Sequence, residues 1–188
     1  MAEPVDSVAL LERSISYALS SVAAATPRLL SRSTPCARWD LRALLHHVND
    51  SLDVLLEGVE TGRIGPEPDP EPDPADPTAT FRDRASRLLG AWAGGCRRVI
   101  AIDDQPLLAS MVADTGAIEI AVHGWDIAQA CGEHRPIPPA LAADILAFVP
   151  LVVTDATRAA QFAAPVRTAP HASPGDRLIA LLGRRPIG

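Results

Sequence analysis

Apolar residues recur at helical spacing along most of this chain, and that recurrence limits its fold more than any other feature. Val8, Leu11, Ile15, Leu19 and Val22 follow one another at steps of three or four, predicting a first helix over roughly residues 5–25. Pro27 and the polar run Ser31-Arg32-Ser33-Thr34-Pro35 break it. Asp40 suits the cap of a second helix, where Leu41, Leu44, Leu45, Val48, Leu52, Leu55 and Leu56 form a broad apolar face that should end near Gly62. A third helix is expected from about Thr80 to Ala101, with Phe81, Ala85, Leu88, Leu89 and Trp92 inward and Gly94-Gly95 loosening it midway. A fourth should run from about Thr115 to Cys131 and stop at Gly132. Pro138 or Pro139 can start a fifth, with Leu141, Ile145, Phe148, Val149 and Val152 inward. Ser173-Pro174-Gly175-Asp176 opens a short last helix that Gly183 closes. No segment alternates as a strand. The expected fold is therefore all-α, an antiparallel four-helix bundle with additional short helices.

A chain of 188 residues can bury one good core, so a single domain over residues 1–188 is expected. Residues 65–77, GPEPDPEPDPADP, interrupt the helical pattern. Alternating proline and acid removes amide donors and adds charge repulsion, predicting an extended, solvated loop. The acids do not make a calcium loop, because the EF-hand glycine and spacing are missing. No apolar run is long enough to span a membrane, and no basic-then-apolar leader is read at the N-terminus; a cytoplasmic protein is expected.

The net charge of -6, with no basic cluster beyond pairs such as Arg97-Arg98 and Arg184-Arg185, argues against nucleic acid as a partner. All 17 basic residues are arginine, as codon bias in a GC-rich genome would produce. Without lysine, neither Schiff-base chemistry nor a P-loop is available. Cys36, Cys96 and Cys131 show no paired spacing, which suggests free thiols.

The polar residues of the fourth helix are the chemically interesting ones. Glu119 and His123 are four apart, hence one turn apart on one face, and Asp126 lies three further on. Ile118, Val122 and Trp125 flank this stripe on the side expected to pack. Taken alone, a Glu and a His at this spacing most often form a solvated surface pair. His47, however, sits in Leu44-Leu45-His46-His47-Val48, within an apolar helix face, and a lone core histidine is more often hydrogen-bonded than ligating. Two such segments in a chain of only 5 histidines make a shared metal site the sharper reading. His46 points about 100° away from His47 on an ideal helix, so at most one of the two faces such a site squarely.

The residues Thr34-Pro35-Cys36, then Trp39-Asp40-Leu41-Arg42-Ala43-Leu44-Leu45, then His47-Val48, resemble the second-helix motif of the DinB-like superfamily. Its nearest branch is the actinobacterial one containing the N-terminal domain of mycothiol-dependent maleylpyruvate isomerase. Glu119-Ile120-Ala121-Val122-His123-Gly124-Trp125-Asp126-Ile127-Ala128 resembles the second family motif. The tail, Phe162-Ala163-Ala164-Pro165-Val166 followed by Asp176 through Arg184, is similar to the same branch. The resemblance implies a four-helix bundle holding one divalent metal, with His47, Glu119 and His123 as its ligands. Two imidazoles and a carboxylate suit zinc first, with nickel, iron or manganese as alternatives. Three protein ligands leave room for water or a thiolate, which zinc would activate.

The resemblance also implies a small-molecule substrate and a low-molecular-weight thiol, with mycothiol as co-substrate, in a monomer or homodimer. The expected function is a metal-dependent thiol S-transferase or thiol-assisted isomerase. The alternatives are a non-catalytic metal-containing binding protein and a thiol-independent cyclase or tailoring enzyme. Unlike in maleylpyruvate isomerase, no second domain is expected after the bundle. Asp126 is the candidate for orienting a ligand or moving a proton, Trp125 for lining the pocket, and Arg42 with Arg38 for binding a thiol carboxylate.

Overall fold

The computed structural model describes residues 6–37, 39–65, 75–94, 98–154, 158 and 162–186. Over these residues the protein is mostly helical and carries one small sheet. Helix α1, Ser7–Val22, starts where the Asp6 side chain accepts the amides of Val8 and Ala9. Helix α2, Leu41–Thr61, is capped as expected by Asp40, whose side chain accepts from the Ala43 amide at 2.9 Å. Gly62 ends it in the left-handed conformation, which glycine adopts without steric cost. Every apolar residue assigned to the inner face of α2 is buried.

Helix α3, Pro77–Ala93, differs from expectation at both ends. The Asp76 side chain caps it through Thr78 and Ala79, and Pro77 occupies the first turn, where its missing amide costs nothing. The end of the acidic segment thus serves as a helix start, while residues 66–74 lie outside the described part of the chain. Gly94 stops the helix, and residues expected to continue it instead form strand β2, Val99–Ile102. The all-α expectation is corrected here. Strand β1, Arg63–Ile64, pairs parallel with β2, which pairs antiparallel with β3, Gln105–Leu108. The physical reason is local: Val99, Ile100 and Ile102 are β-branched and favour extended backbone, and runs of two to four residues are too short to show alternation. Asp103 and Asp104, both at positive φ, make the two-residue turn between β2 and β3.

Helix α4, Ala109–Cys131, leaves β3 directly and so begins six residues before the expected Thr115. It stops at left-handed Gly132. Helix α5 is Pro139–Val152 and α6 is Pro174–Leu181, the latter capped by Ser173. Gly183 adopts a left-handed turn after α6, and the Arg184 amide reaches back to the Ile179 carbonyl at 2.9 Å.

Helix directions follow from which residues meet. Ser7 hydrogen-bonds Asp114, and Ala18 lies against Gly124, so α1 and α4 run the same way. Asn49 donates to the Pro77 carbonyl at 3.0 Å, and Arg84 pairs with Asp53 at 2.6 Å, so α2 and α3 also run the same way. Between the two pairs the sense reverses: His47 faces Glu119, and Leu55 meets Gly116. Two neighbouring pairs are therefore parallel, against the antiparallel expectation. Parallel neighbours require long connections, and residues 62–76 provide one between α2 and α3. One cluster of buried apolar side chains draws on each of helices α1 to α6, with Ile64 and Ile100 added from the sheet. Among the described residues no helix is long and apolar enough to cross a membrane.

Candidate metal centre

From Gly116 to Ala128 every residue of α4 is buried except Glu119, which is partly exposed. A helix enclosed on all sides must find partners for its polar side chains, since an unpaired one loses its water for nothing. Glu119, His123 and Asp126 find them in each other, in His47 of α2 and in Arg184 of the tail.

The His47 Nε2 lies 2.5 Å from Glu119 Oε1, and the His123 Nε2 lies 3.1 Å from the same oxygen. One donor atom from each of the three residues falls within 4.8 Å of the others. Ligand atoms around a four-coordinate zinc stand roughly 3.3 Å apart, and the three donor atoms are gathered closely enough to reach that spacing by small side-chain shifts. Two imidazole nitrogens and a carboxylate oxygen make a suitable donor set for zinc and its neighbours. The three residues can therefore hold a divalent metal ion. No cysteine belongs to this cluster among the described residues. Cys36 and Cys131 are partly buried free thiols, and Cys96 lies outside the described residues.

Electrostatics reinforce the convergence. Burial alone would raise the Glu119 pKa, but the His123 charge and hydrogen bonds from His123 and His47 outweigh it and hold the carboxyl far below its usual range. Burial would likewise lower the His123 pKa, but the Glu119 carboxylate and the hydrogen bond to Asp126 push it up to about 10. In the metal-free protein the pair is thus ionised, and a metal ion must displace a proton to bind His123.

Asp126 is not a fourth ligand. Its Oδ2 lies 2.9 Å from His123 Nδ1, and its side chain is fully buried. Against the cost of burial, the bond to His123 and the Arg184 charge keep its pKa below the ordinary value, so it stays ionised and accepts. His123 Nδ1 must then carry the hydrogen and donate it, which turns Nε2 toward Glu119 and His47. Arg184 grips Asp126 with two groups, Nε to Oδ1 at 3.3 Å and Nη2 to Oδ2 at 2.8 Å. A ligating histidine whose second nitrogen is anchored on a carboxylate is a recurrent way of fixing ring and tautomer.

The site opens to one side. A cavity of about 490 Å³ lies beside His47, lined by Trp39, Arg42, Ala43, His46 and Asp50 among others. Arg42 is one of its lining residues. Trp125 is not: it is a buried core residue, as helical tryptophans facing the packed side generally are. The tryptophan at the site is Trp39, whose ring stacks on His47 with centroids 4.2 Å apart. Arg38 lies outside the described residues. A second hollow, of about 650 Å³ between α1 and residues 135–141, holds none of the candidate residues.

Trp39 and Arg184 were thus missed as site residues by the sequence reading. For Trp39 the available signal was its place just before the helix cap, from which a side chain can fold back over the first turns. For Arg184 no periodicity connects position 184 with position 126; the turn at Gly183 makes the connection.

No curated protein and no solved structure matches the chain significantly. The family described as the mycothiol maleylpyruvate isomerase N-terminal domain does match, over residues 11–128. That span contains His47, Glu119, His123 and Asp126 but not Arg184. The family is mycothiol-related and metal-binding, and its domain belongs to the DinB-like superfamily. With well over half of its length matched, and with the site geometry in agreement, this chain belongs to the family of the mycothiol maleylpyruvate isomerase N-terminal domain.

Proposed function

We propose that this protein is a metal-dependent enzyme that uses a low-molecular-weight thiol of the mycothiol type on a small electrophilic substrate, as an S-transferase or a thiol-assisted isomerase. The observation that carries this reading is the convergence of His47, Glu119 and His123 beside an open cavity, in a chain of this family. We take α1 to α4 as the bundle, the whole chain as one unit, and zinc as the resident ion. A bound divalent ion supplies Lewis acidity that lowers the pKa of a thiol or water at its free position.

The chain's own residues divide the remaining work. His123 is held in one tautomer by Asp126. Glu119 offers the negative charge that makes a cation welcome in a buried site. Arg42, at the cavity wall, has no ion-pair partner among the described residues and is placed to meet an anionic group of the substrate or thiol. Asp126 is too deeply buried to touch a substrate, so we assign it to orienting His123 in place of moving a proton. In this reading the enzyme acts in the cytoplasm, where such thiols stay reduced.

Elemental analysis of the protein purified without chelator should find about one divalent ion per chain. His47→Ala and His123→Ala should each lose most of it. Adding a thiol to the cobalt-loaded protein, with Cys36→Ser as control, should produce a sulfur-to-cobalt charge-transfer band. Absence of metal, with no uptake on reconstitution, would overturn the metal assignment. Full cobalt loading with a spectrum indifferent to thiols would overturn the thiol chemistry and leave a thiol-independent enzyme or a binding protein.

A further inference from the structure

The two histidines of the centre are supported in different ways. His123 is fixed through Nδ1 by Asp126, and Asp126 by Arg184. His47 has its Nε2 on Glu119, and among the described residues no hydrogen bond reaches its Nδ1. A rotation about its outer side-chain torsion would swing Nε2 out of the cluster, and among the described residues no polar group on the Nδ1 side helps Glu119 to oppose it. The aromatic neighbour does. Trp39 lies face to face with the His47 imidazole, centroids 4.2 Å apart and planes 27° apart. Its edge also approaches His123, at 5.8 Å and 62°.

Trp39 is itself immobilised by its backbone. Its amide donates to the Cys36 carbonyl at 3.0 Å, and its carbonyl accepts the Thr34 hydroxyl at 2.9 Å. The segment behind it is tied to the start of α2, where Leu41 and Arg42 donate to the carbonyls of Arg32 and Leu30, both at 2.8 Å. It is tied to the end of α4 as well, through Arg32 to the Ala130 carbonyl at 3.3 Å. The backbone that carries the indole is therefore tied to the same two helices that carry the candidate ligands.

We infer that Trp39 is a positioning residue of the metal centre: its stacked indole does for His47 what Asp126 and Arg184 do for His123. This rests on the metal assignment above. Offset stacking of two rings prefers one relative orientation, a preference that adds to what area burial gives. An aliphatic side chain of similar bulk fills the space without that preference. Trp39 also walls the cavity beside His47, shielding that ring from solvent on the stacked face.

The test is a zinc competition titration against a chromophoric chelator at fixed pH, on the wild type and on Trp39→Phe, Trp39→Leu and Trp39→Ala. Phenylalanine keeps a stackable ring and should bind zinc within about threefold of the wild type. Leucine and alanine should each bind about 10–100-fold more weakly, the loss usual for removing support behind a ligand. The thermal midpoint of the metal-free variants, read in parallel, should change far less in the leucine variant than its zinc affinity does. The d–d spectrum of the cobalt-loaded leucine variant should depart from the wild type, showing altered coordination. If leucine binds zinc as well as phenylalanine, or alanine as well as the wild type, the positioning role is overturned while the metal assignment stands. A wild type that takes up no metal overturns both.

Discussion

Arg184 shows how much one side chain can decide. It is 8% exposed, and the carboxylate it grips is fully buried. Removing one partner of such a pair leaves the other charge without compensation, at a cost of about 3–5 kcal/mol. Arg184→Ala should therefore lower the denaturant midpoint of the metal-free protein markedly. It should also weaken zinc binding about 10–100-fold, because a freed Asp126 no longer fixes the tautomer of His123. Arg184→Lys should recover only part of either loss, since an ammonium cannot match both carboxylate oxygens. An Arg184→Ala protein with wild-type stability and zinc affinity would refute this account. The candidate cluster could be picked out in the sequence, because Glu119 and His123 are one helical turn apart and His47 interrupts an apolar face. The support behind it could not, because Asp126 and Arg184 are joined only when α6 packs and Gly183 turns the chain.

At the scale of the element, packing between α1 and α4 sets the geometry of the centre. A side-chain carbon added at Gly124 would come within 3.1 Å of the Ala18 Cα and 3.3 Å of the Tyr17 ring. Backbone cannot yield as a flexible side chain can, so the helices would be pushed apart beside His123. Gly124→Ala should thus destabilise the fold by about 1–3 kcal/mol, overriding the helix preference of alanine. At exposed Gly90 of α3, nothing lies within 4 Å of the added carbon, and Gly90→Ala should stabilise by about 1 kcal/mol. Opposite signs in chemical denaturation are the expected result; equal signs would show that α1 and α4 can separate freely. Helix ends marked by Asp40, Gly62, Gly132 and Ser173 could be read from sequence because each cap acts on its own next turn. The sheet could not, because β1 and β2 are stable only once paired across more than thirty residues of chain.

At the scale of the whole molecule, metal, protons and stability are linked. In the metal-free protein His123 is raised from 6.5 to about 10. The stabilisation it gives is complete below about pH 6.5 and is lost as pH rises through about 10. Asp126 is depressed, so its contribution is present above the ordinary carboxylate range and is lost on acidification. Metal binding must expel the His123 proton, so its apparent affinity rises with pH over the same alkaline window. The gap in thermal midpoint between zinc-loaded and metal-free protein should therefore widen from about pH 6.5 to 9 at fixed free zinc. Zinc addition to unbuffered protein at neutral pH should release protons. A gap that does not change with pH would show that His123 is not displaced from a proton by the metal.

The sequence by itself determined what acts locally. Apolar spacing placed the helices, short-range caps ended most of them, and one helical turn brought Glu119 and His123 onto the same face. Only the tertiary structure decided what depends on distant segments meeting. It set the directions of the helix pairs, because a 15-residue connection permits either sense. It also buried α4 from Gly116 to Ala128 at every position but Glu119, and so turned an ordinary Glu-His spacing into a set of polar groups that must satisfy one another. Finally, it seated Arg184 on Asp126, a contact that no local pattern encodes because its free energy exists only after the core has assembled.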